Sequence, residues 1–343
     1  MFQTIQEGKA LIKVSVDSKI SKKLPIFYNP VMKFNRDISI LLLNSIRKSN
    51  MQLALPLSGS GIRGVRFLLE LKKRKIKNIS FNDYKEDFLD MMNDNLRINN
   101  IRSSDKIIIF NLDANLFLLN ALGFDYIDID PFGSPNPFLD SAVKRLARKG
   151  VLAVTATDTS ALCGTYEDAC KRKYWAVPLR NELQHEIGLR ILIRKVQLIG
   201  SQFEKALIPI FSYSKDHYMR VFFKCEKGKK KVDKVINQHF MFGDAGPIWI
   251  GDLWDKKLVN KMFLDSDGEV KKFLNIIKEE CNIKTIGFHD IHDICKQHKL
   301  MVPKYEVLMN KIKKKGHKVS RTHLSGFGIK SDIGKEEILS LLK

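Results

Sequence analysis

The sequence predicts an α/β fold: a doubly wound, mostly parallel sheet with an antiparallel last strand, and a smaller α+β domain after it. Three observations carry this. From residue 51 to about 225, short apolar runs alternate with longer stretches whose apolar residues recur every three or four positions. Such alternation makes parallel strands covered by crossover helices on both faces. The last two apolar runs of this region stand so close together that they can pair antiparallel. Beyond Cys225 the composition shifts. EKGKKKVDK (226–234) is short and basic and is expected to be a linker, which divides the chain into domains 1–225 and 226–343.

The elements follow in order. FYNPVMKFNRD (27–37) precedes the first strand as an N-terminal lid segment. Met51–Leu57 is an apolar strand, and Gly59, Gly61 and Gly64 follow it. Val65, Leu68 and Leu69 begin a helix face. Ile79–Phe81 is a short strand ending at Asn82-Asp83, and Phe88, Met91, Met92 and Leu96 mark the next helix. Ile107–Phe110 is followed by Asp113-Ala114, and Tyr126–Ile129 ends at Asp130. Phe138, Leu139, Ala142, Val143 and Leu146 form a helix face that Gly150 stops, and Val151–Ala156 is the fifth strand. Asn181–Gly200 is a long apolar helix, and Ala206–Phe211 and Met219–Phe223 are the final strand pair. In the last domain, Lys304–Lys315 is helical with Gly316 as its C-terminal cap, and His317–Thr322 is a short basic strand.

The bulk properties narrow the class. A length of 343 residues suits about two domains, and 44% hydrophobic with 28% charged residues suits a chain with a real core. No apolar run is long enough for a membrane span, and the start MFQTIQEGKALIKV lacks the apolar stretch of a signal peptide, so the cytoplasm is the expected compartment. Five cysteines, none in a C-x-x-C pair, imply reduced thiols. His289, His292 and Cys295 lack a second pair at metal-site spacing, so no metal is expected. A formal net charge of +21 points to a polyanionic partner, nucleic acid first.

In a parallel sheet, ligands bind at the carboxyl ends of the strands. Here those ends carry LPLSGSGIRG (55–64), Asp83, Asp113 and Asp130. Glycines between strand and helix let a ligand approach the backbone, beside the free N–H groups of the helix start. Asp83 suits the two hydroxyls of a ribose, or a helix N-cap. Asp113-Ala114 repeats the pattern where an adenine amine can be held. DIDPFGSP (128–135) is the most telling stretch. An exocyclic purine amine is a weak nucleophile because its lone pair is delocalised into the ring. Asp130 can accept one of its N–H groups and take the departing proton, the Pro131 carbonyl can accept the other, and Phe132 can stack on the base. A plain Asx turn accounts for Asp, Pro and Gly but not for Phe132.

These stretches resemble one family. FYNPVMKFNRD, SGSGIRGVRF, FND, LDA, DIDPFGSP, VTATDTSALCG, KYWAVPLRNELQHEIGLRIL, YSKDHYMR, GPIWIGDL and RTHLSGFGIK are similar, almost end to end, to the S-adenosylmethionine-dependent tRNA (guanine-N2-)-dimethyltransferases. The resemblance implies a class I, Rossmann-like methyltransferase domain, a smaller C-terminal tRNA-binding domain, and methylation of guanosine 26 of tRNA on N2, once or twice. It implies Asp130 as the catalytic acid, with Phe27 and Phe132 enclosing the guanine. It implies Arg36, Asp83, Asp113 and Ala114 at cofactor-binding positions, joined by one or both of Arg63 and Arg66. The residues alone favour core packing for Phe27 and a surface ion pair for Arg36. The chain departs from the class in one place: Leu55 stands where an acid usually ends the first strand, which bears on cofactor affinity. The same chemistry on another base amine, such as adenine N6, is the near alternative; a non-catalytic tRNA-binding protein is the alternative of another class.

Overall fold

The computed structural model describes residues 2–15, 28–102 and 104–343. The chain opens with an antiparallel hairpin, β1 (Phe2–Glu7) and β2 (Ala10–Ser15). Ala10, Ile12 and Val14 are buried, the alternation of a strand with one covered face. After α1 (Lys33–Ser45) come β3 (Met51–Leu55), α2 (Ile62–Glu70), β4 (Ile76–Asn82), α3 (Phe88–Ile98), β5 (Ile107–Phe110), α4 (Ala114–Asn120), β6 (Phe124–Ile129), α5 (Asn136–Arg145) and β7 (Leu146–Ala156). Then follow α6 (Thr159–Leu162), α7 (Glu167–Tyr174), α8 (Gln184–Ser201) and the hairpin β8 (Lys205–Lys215) and β9 (Tyr218–Lys227).

Seven strands form one sheet in the order β5-β4-β3-β6-β7-β9-β8. β3, β4, β5, β6 and β7 pair in parallel. Two residues join β8 to β9, which forces that pair antiparallel. The strand order changes direction between β3 and β6, so the crevice for a ligand lies beyond their carboxyl ends.

The remaining elements are α9 (Lys229–Ile236), β10 (His239–Phe242), β11 (Ala245–Trp249), α10 (Lys256–Leu264), α11 (Gly268–Glu280), β12 (His289–Asp290), α12 (Ile291–Gln297), α13 (Tyr305–Lys314), β13 (Val319–Arg321), β14 (Gly328–Ser331) and α14 (Lys335–Leu342). Two compact units result. One comprises Met1–Thr157, Val196–Ile208 and Arg220–Ile236; the other comprises Asp158–Lys195, Pro209–Met219 and Asn237–Lys343. The second unit has an apolar core that includes Ile291, Leu308, Ile312 and Ile329. Beside its apolar core it buries Glu186, which receives Arg190 at 2.9 Å and Lys330 at 3.1 Å. Burial pushes this carboxyl up, but the two cations outweigh that and bring it to about 2.

Three local expectations are corrected. Residues 226–234 are not a loose linker: β9 runs to Lys227 and α9 begins at Lys229, with Val232 and Val235 buried on one face three residues apart. α5 stops at Arg145, and Leu146 already pairs with Phe124, so the strand starts before Gly150. Gly150 instead sits in a tight part of β7, where a Cβ would lie 2.8 Å from the Ala147 carbonyl. On α2, Leu68 and Leu69 are only half-buried, whereas Arg63, Arg66 and Phe67 are buried. Acidic partners around the two arginines make that burial possible.

Candidate active site

A cavity of about 370 Å³ opens in the first unit beyond the ends of β3, β4, β6 and β7. Asp130, Pro131 and Phe132 line it together with Ser58, Gly59, Asp83 and Arg36. Apolar walls come from Leu55, Leu57, Ile62 and Phe138.

β6 delivers two acids to one side, because alternate residues of a strand share a face. Asp128 is fully buried and meets Arg220 through two bonds of 2.7 and 2.9 Å. Burial pushes its carboxyl up, but Arg220 and Arg63 outweigh that and hold it below the usual carboxylate range. Asp130, whose side chain is 17% exposed, accepts a hydrogen bond from Nη2 of Arg63. Nη1 of the same arginine donates to Asn35 at 2.9 Å and Ser39 at 3.0 Å, and lies 3.5 Å from Asp128. Arg63 therefore braces Asp130 against a buried polar frame rather than facing the cavity alone. The turn after Asp130 is clamped by Thr157. Its hydroxyl accepts the Gly133 N–H at 2.6 Å, and its own N–H donates to the Gly133 carbonyl at 2.9 Å. This clamp holds Pro131 and the half-exposed ring of Phe132 at the rim.

The rest of the polar lining fits a nucleoside with a charged tail. Gly61 caps the start of α2 at φ +76°, where a Cβ would also strike Met92. Gly64 lies so close to the Phe81 ring that a Cβ has no room, and this drives the start of α2 onto the sheet. Asp83 is buried, and its carboxylate accepts the N–H of Gly59 at 2.8 Å and of Lys85 at 3.3 Å. Burial pushes this carboxyl up against those donors. Arg36 is gripped by Glu7, with Nε 2.7 Å from one carboxylate oxygen, and its Nη2 donates to the Asn29 carbonyl at 3.0 Å. A carboxylate for hydroxyls, a backbone turn for close approach, apolar walls and a guanidinium for a carboxylate suit the parts of S-adenosylmethionine.

Of the sequence-derived residues, Asp130, Pro131, Phe132, Arg36, Arg63 and Asp83 converge on the cavity. Arg66 does not line it; its guanidinium is taken by Glu7, Asp37 and Glu70. Asp113 is exposed and caps α4, accepting the N–H groups of Asn115 and Leu116, and neither it nor the buried Ala114 is part of the lining. Phe27 lies outside the described residues. Glu7 was missed. Burial raises its carboxyl, but Arg36, the Tyr28 hydroxyl and Arg66 bring it down to about 2. Arg220 ends YSKDHYMR and Thr157 lies in VTATDTSALCG, and nothing in their own neighbourhoods marks a role for them. Among the described residues, no three His, Cys, Asp or Glu side chains converge as metal ligands, and no helix is long and apolar enough to cross a membrane.

The family model for N2,N2-dimethylguanosine tRNA methyltransferases matches residues 8–244 and 238–343. The chain is 37% identical to the tRNA (guanine(26)-N(2)/guanine(27)-N(2))-dimethyltransferase of Aquifex aeolicus, over 99% of this chain and 96% of that one. It is 35% identical to the tRNA (guanine(26)-N(2))-dimethyltransferase of Methanobrevibacter smithii, over 99% and 97%. A solved structure of Trm1 from Pyrococcus horikoshii, in complex with S-adenosyl-L-methionine, superposes with a TM-score of 0.89 at 35% identity and covers 99% of this chain.

Proposed function

The chain belongs to the N2,N2-dimethylguanosine tRNA methyltransferase family, and from that membership we propose how its residues divide the work. It is an S-adenosylmethionine-dependent enzyme that methylates the N2 amine of guanine in tRNA, at position 26, the site named for its relatives. The single observation that carries the division of labour is the shared cavity: the Asp130-Pro131-Phe132 turn and Gly59, Asp83 and Arg36 line one and the same space.

S-adenosylmethionine, when bound, supplies the electrophilic methyl group. Asp83 and Arg36 hold its hydroxyls and its charged end beside the glycine turn, and Asp113 and Ala114 stand next to that side on the following strand-to-helix connection. Arg63 is assigned to Asp130 rather than to the cofactor, and Arg66 to the frame behind Arg36. The target guanine is turned out of its stack, at a cost of a few kcal/mol. Phe132 receives the base face, with Phe27 as its partner by family likeness. Asp130 accepts one N–H of the amine and takes the proton that leaves, and the Pro131 carbonyl accepts the other N–H. Holding both hydrogens directs the nitrogen lone pair, and such positioning is a large part of the rate gain.

The tRNA docks on the basic residues of 226–343 and the rim of the cavity, so affinity comes mostly from phosphates. The cytoplasm is the compartment this substrate implies. The test is an incubation with S-adenosylmethionine and an unmodified tRNA transcript, followed by digestion and mass spectrometry of the nucleosides. N2-methylated and N2,N2-dimethylated guanosine are expected, whereas methyl groups on adenine would move the reading to its near alternative. Asp130→Ala should abolish transfer while binding of labelled S-adenosylmethionine persists; retained transfer would remove Asp130 from the chemistry.

A further inference from the structure

The second unit carries an aromatic surface feature outside the cavity. Trp175 directly follows α7 with φ +56°, a left-handed conformation that bulky residues rarely adopt and that helix ends usually give to glycine. The residue is 49% exposed, whereas Trp249 and Trp254 are 4% and 8% exposed. The ammonium of Lys195, itself a buried residue, sits 2.9 Å from the centre of the Trp175 ring. The neighbouring Arg194 donates from Nη1 to the Trp175 carbonyl at 3.0 Å, and its Nε is buried without a hydrogen-bond partner. Among the described residues, no ion pair engages Arg194 or Lys195. Burial, with the charge of Arg194 behind it, pushes Lys195 down to about 8.

Two adjacent cations without a counter-charge repel one another, and a large ring is held outward against its backbone preference. A ligand that brings a flat ring and a negative charge together covers the exposed ring and supplies the missing counter-charge. A nucleotide has that chemistry: its base can stack on the exposed indole while its phosphate lies in the field of the two cations. A base inside a helical stem offers no free face, so the nucleotide must be unpaired or at the end of a stem.

We propose that Trp175, backed by Lys195 and Arg194, is a stacking platform for an unpaired nucleotide of the tRNA, separate from the pocket that takes the target guanine. This rests on tRNA being the substrate. The experiment is a tryptophan-fluorescence titration of the full chain with unmodified tRNA transcript, paired with the methylation assay. Quenching is expected because Trp175 is the exposed indole of the three. In Trp175→Gly the quenching should vanish and the KM for tRNA should rise about tenfold, the scale of one lost stack, while the dissociation constant for S-adenosylmethionine holds. Glycine accepts φ +56° freely, so this variant should keep its melting temperature, and a thermal melt checks that it folds. Wild type that methylates tRNA without quenching, or Trp175→Gly with unchanged KM, would overturn the platform and leave the enzyme assignment standing. Wild type that neither binds nor methylates tRNA would overturn both.

Discussion

Glu7 shows how much a single side chain can decide at a distance. It sits on a hairpin strand, yet it binds the Arg36 guanidinium that lines the cavity and also reaches Arg66 at 2.9 Å. Removing one partner of a buried ion pair leaves the other charge uncompensated, which costs about 3 kcal/mol or more. Glu7→Gln keeps the shape and removes the charge. It should lower the melting temperature and weaken S-adenosylmethionine binding several-fold, read by calorimetry. Unchanged affinity would mean that Arg36 does not depend on Glu7. Asp130 and Glu7 also differ in legibility. Asp130 is announced by its neighbours Pro131 and Phe132, all within one turn. Glu7 meets Arg36 29 residues away and Arg66 59 residues away, so no local pattern identifies it.

At the scale of elements, the position of α2 matters most, because its start faces the cavity. Gly64 lets this helix approach Phe81 of β4 and Leu55 of β3, where a Cβ would come within 2.7 Å of Leu55 and closer still to Phe81. A methyl group there must displace either the ring or the helix, and overpacking of this kind costs about 1–3 kcal/mol. Gly64→Ala should lower the melting temperature by several degrees, and a melt like that of wild type would show that α2 can shift freely. The same helix marks where periodicity misleads. Val65, Leu68 and Leu69 look like its inner face, and Val65 is buried, but Arg63 and Arg66 lie deeper than Leu68 and Leu69 because acids from other elements neutralise them. α9 fails in the opposite sense: four lysines hide a helix whose two buried valines are its apolar face.

For the whole molecule, each of the two compact units holds a buried glutamate well below its ordinary value. Glu7 in one and Glu186 in the other are each brought from 4.5 to about 2. A depressed carboxylate contributes stability that is complete above its unfolded value and is lost as pH falls toward its folded value. Each therefore loses on the order of 3 kcal/mol between pH 4.5 and 2. Urea unfolding at pH 7, 4.5, 3 and 2 should show a plateau down to about 4.5 and a steep loss below. Glu7→Gln should flatten part of that loss, and a slope that this substitution leaves alone would assign the acid sensitivity elsewhere.

The sequence by itself determined the sheet, the order of its strands along the chain, the basic charge, and the acid-proline-aromatic turn at the cavity. Those features are local: strand and helix periods, turn residues and strand-end acids each act within a few positions of themselves. Only the tertiary structure decided which charges share a site. It placed Arg63 on Asp130, turned Arg66 toward Glu7, Asp37 and Glu70, left Asp113 as a helix cap, and set Thr157 as the clamp behind Phe132. The physical reason is range. A buried ion pair forms between whichever opposite charges the packed chain brings within about 4 Å, and their separation along the sequence leaves no periodic trace.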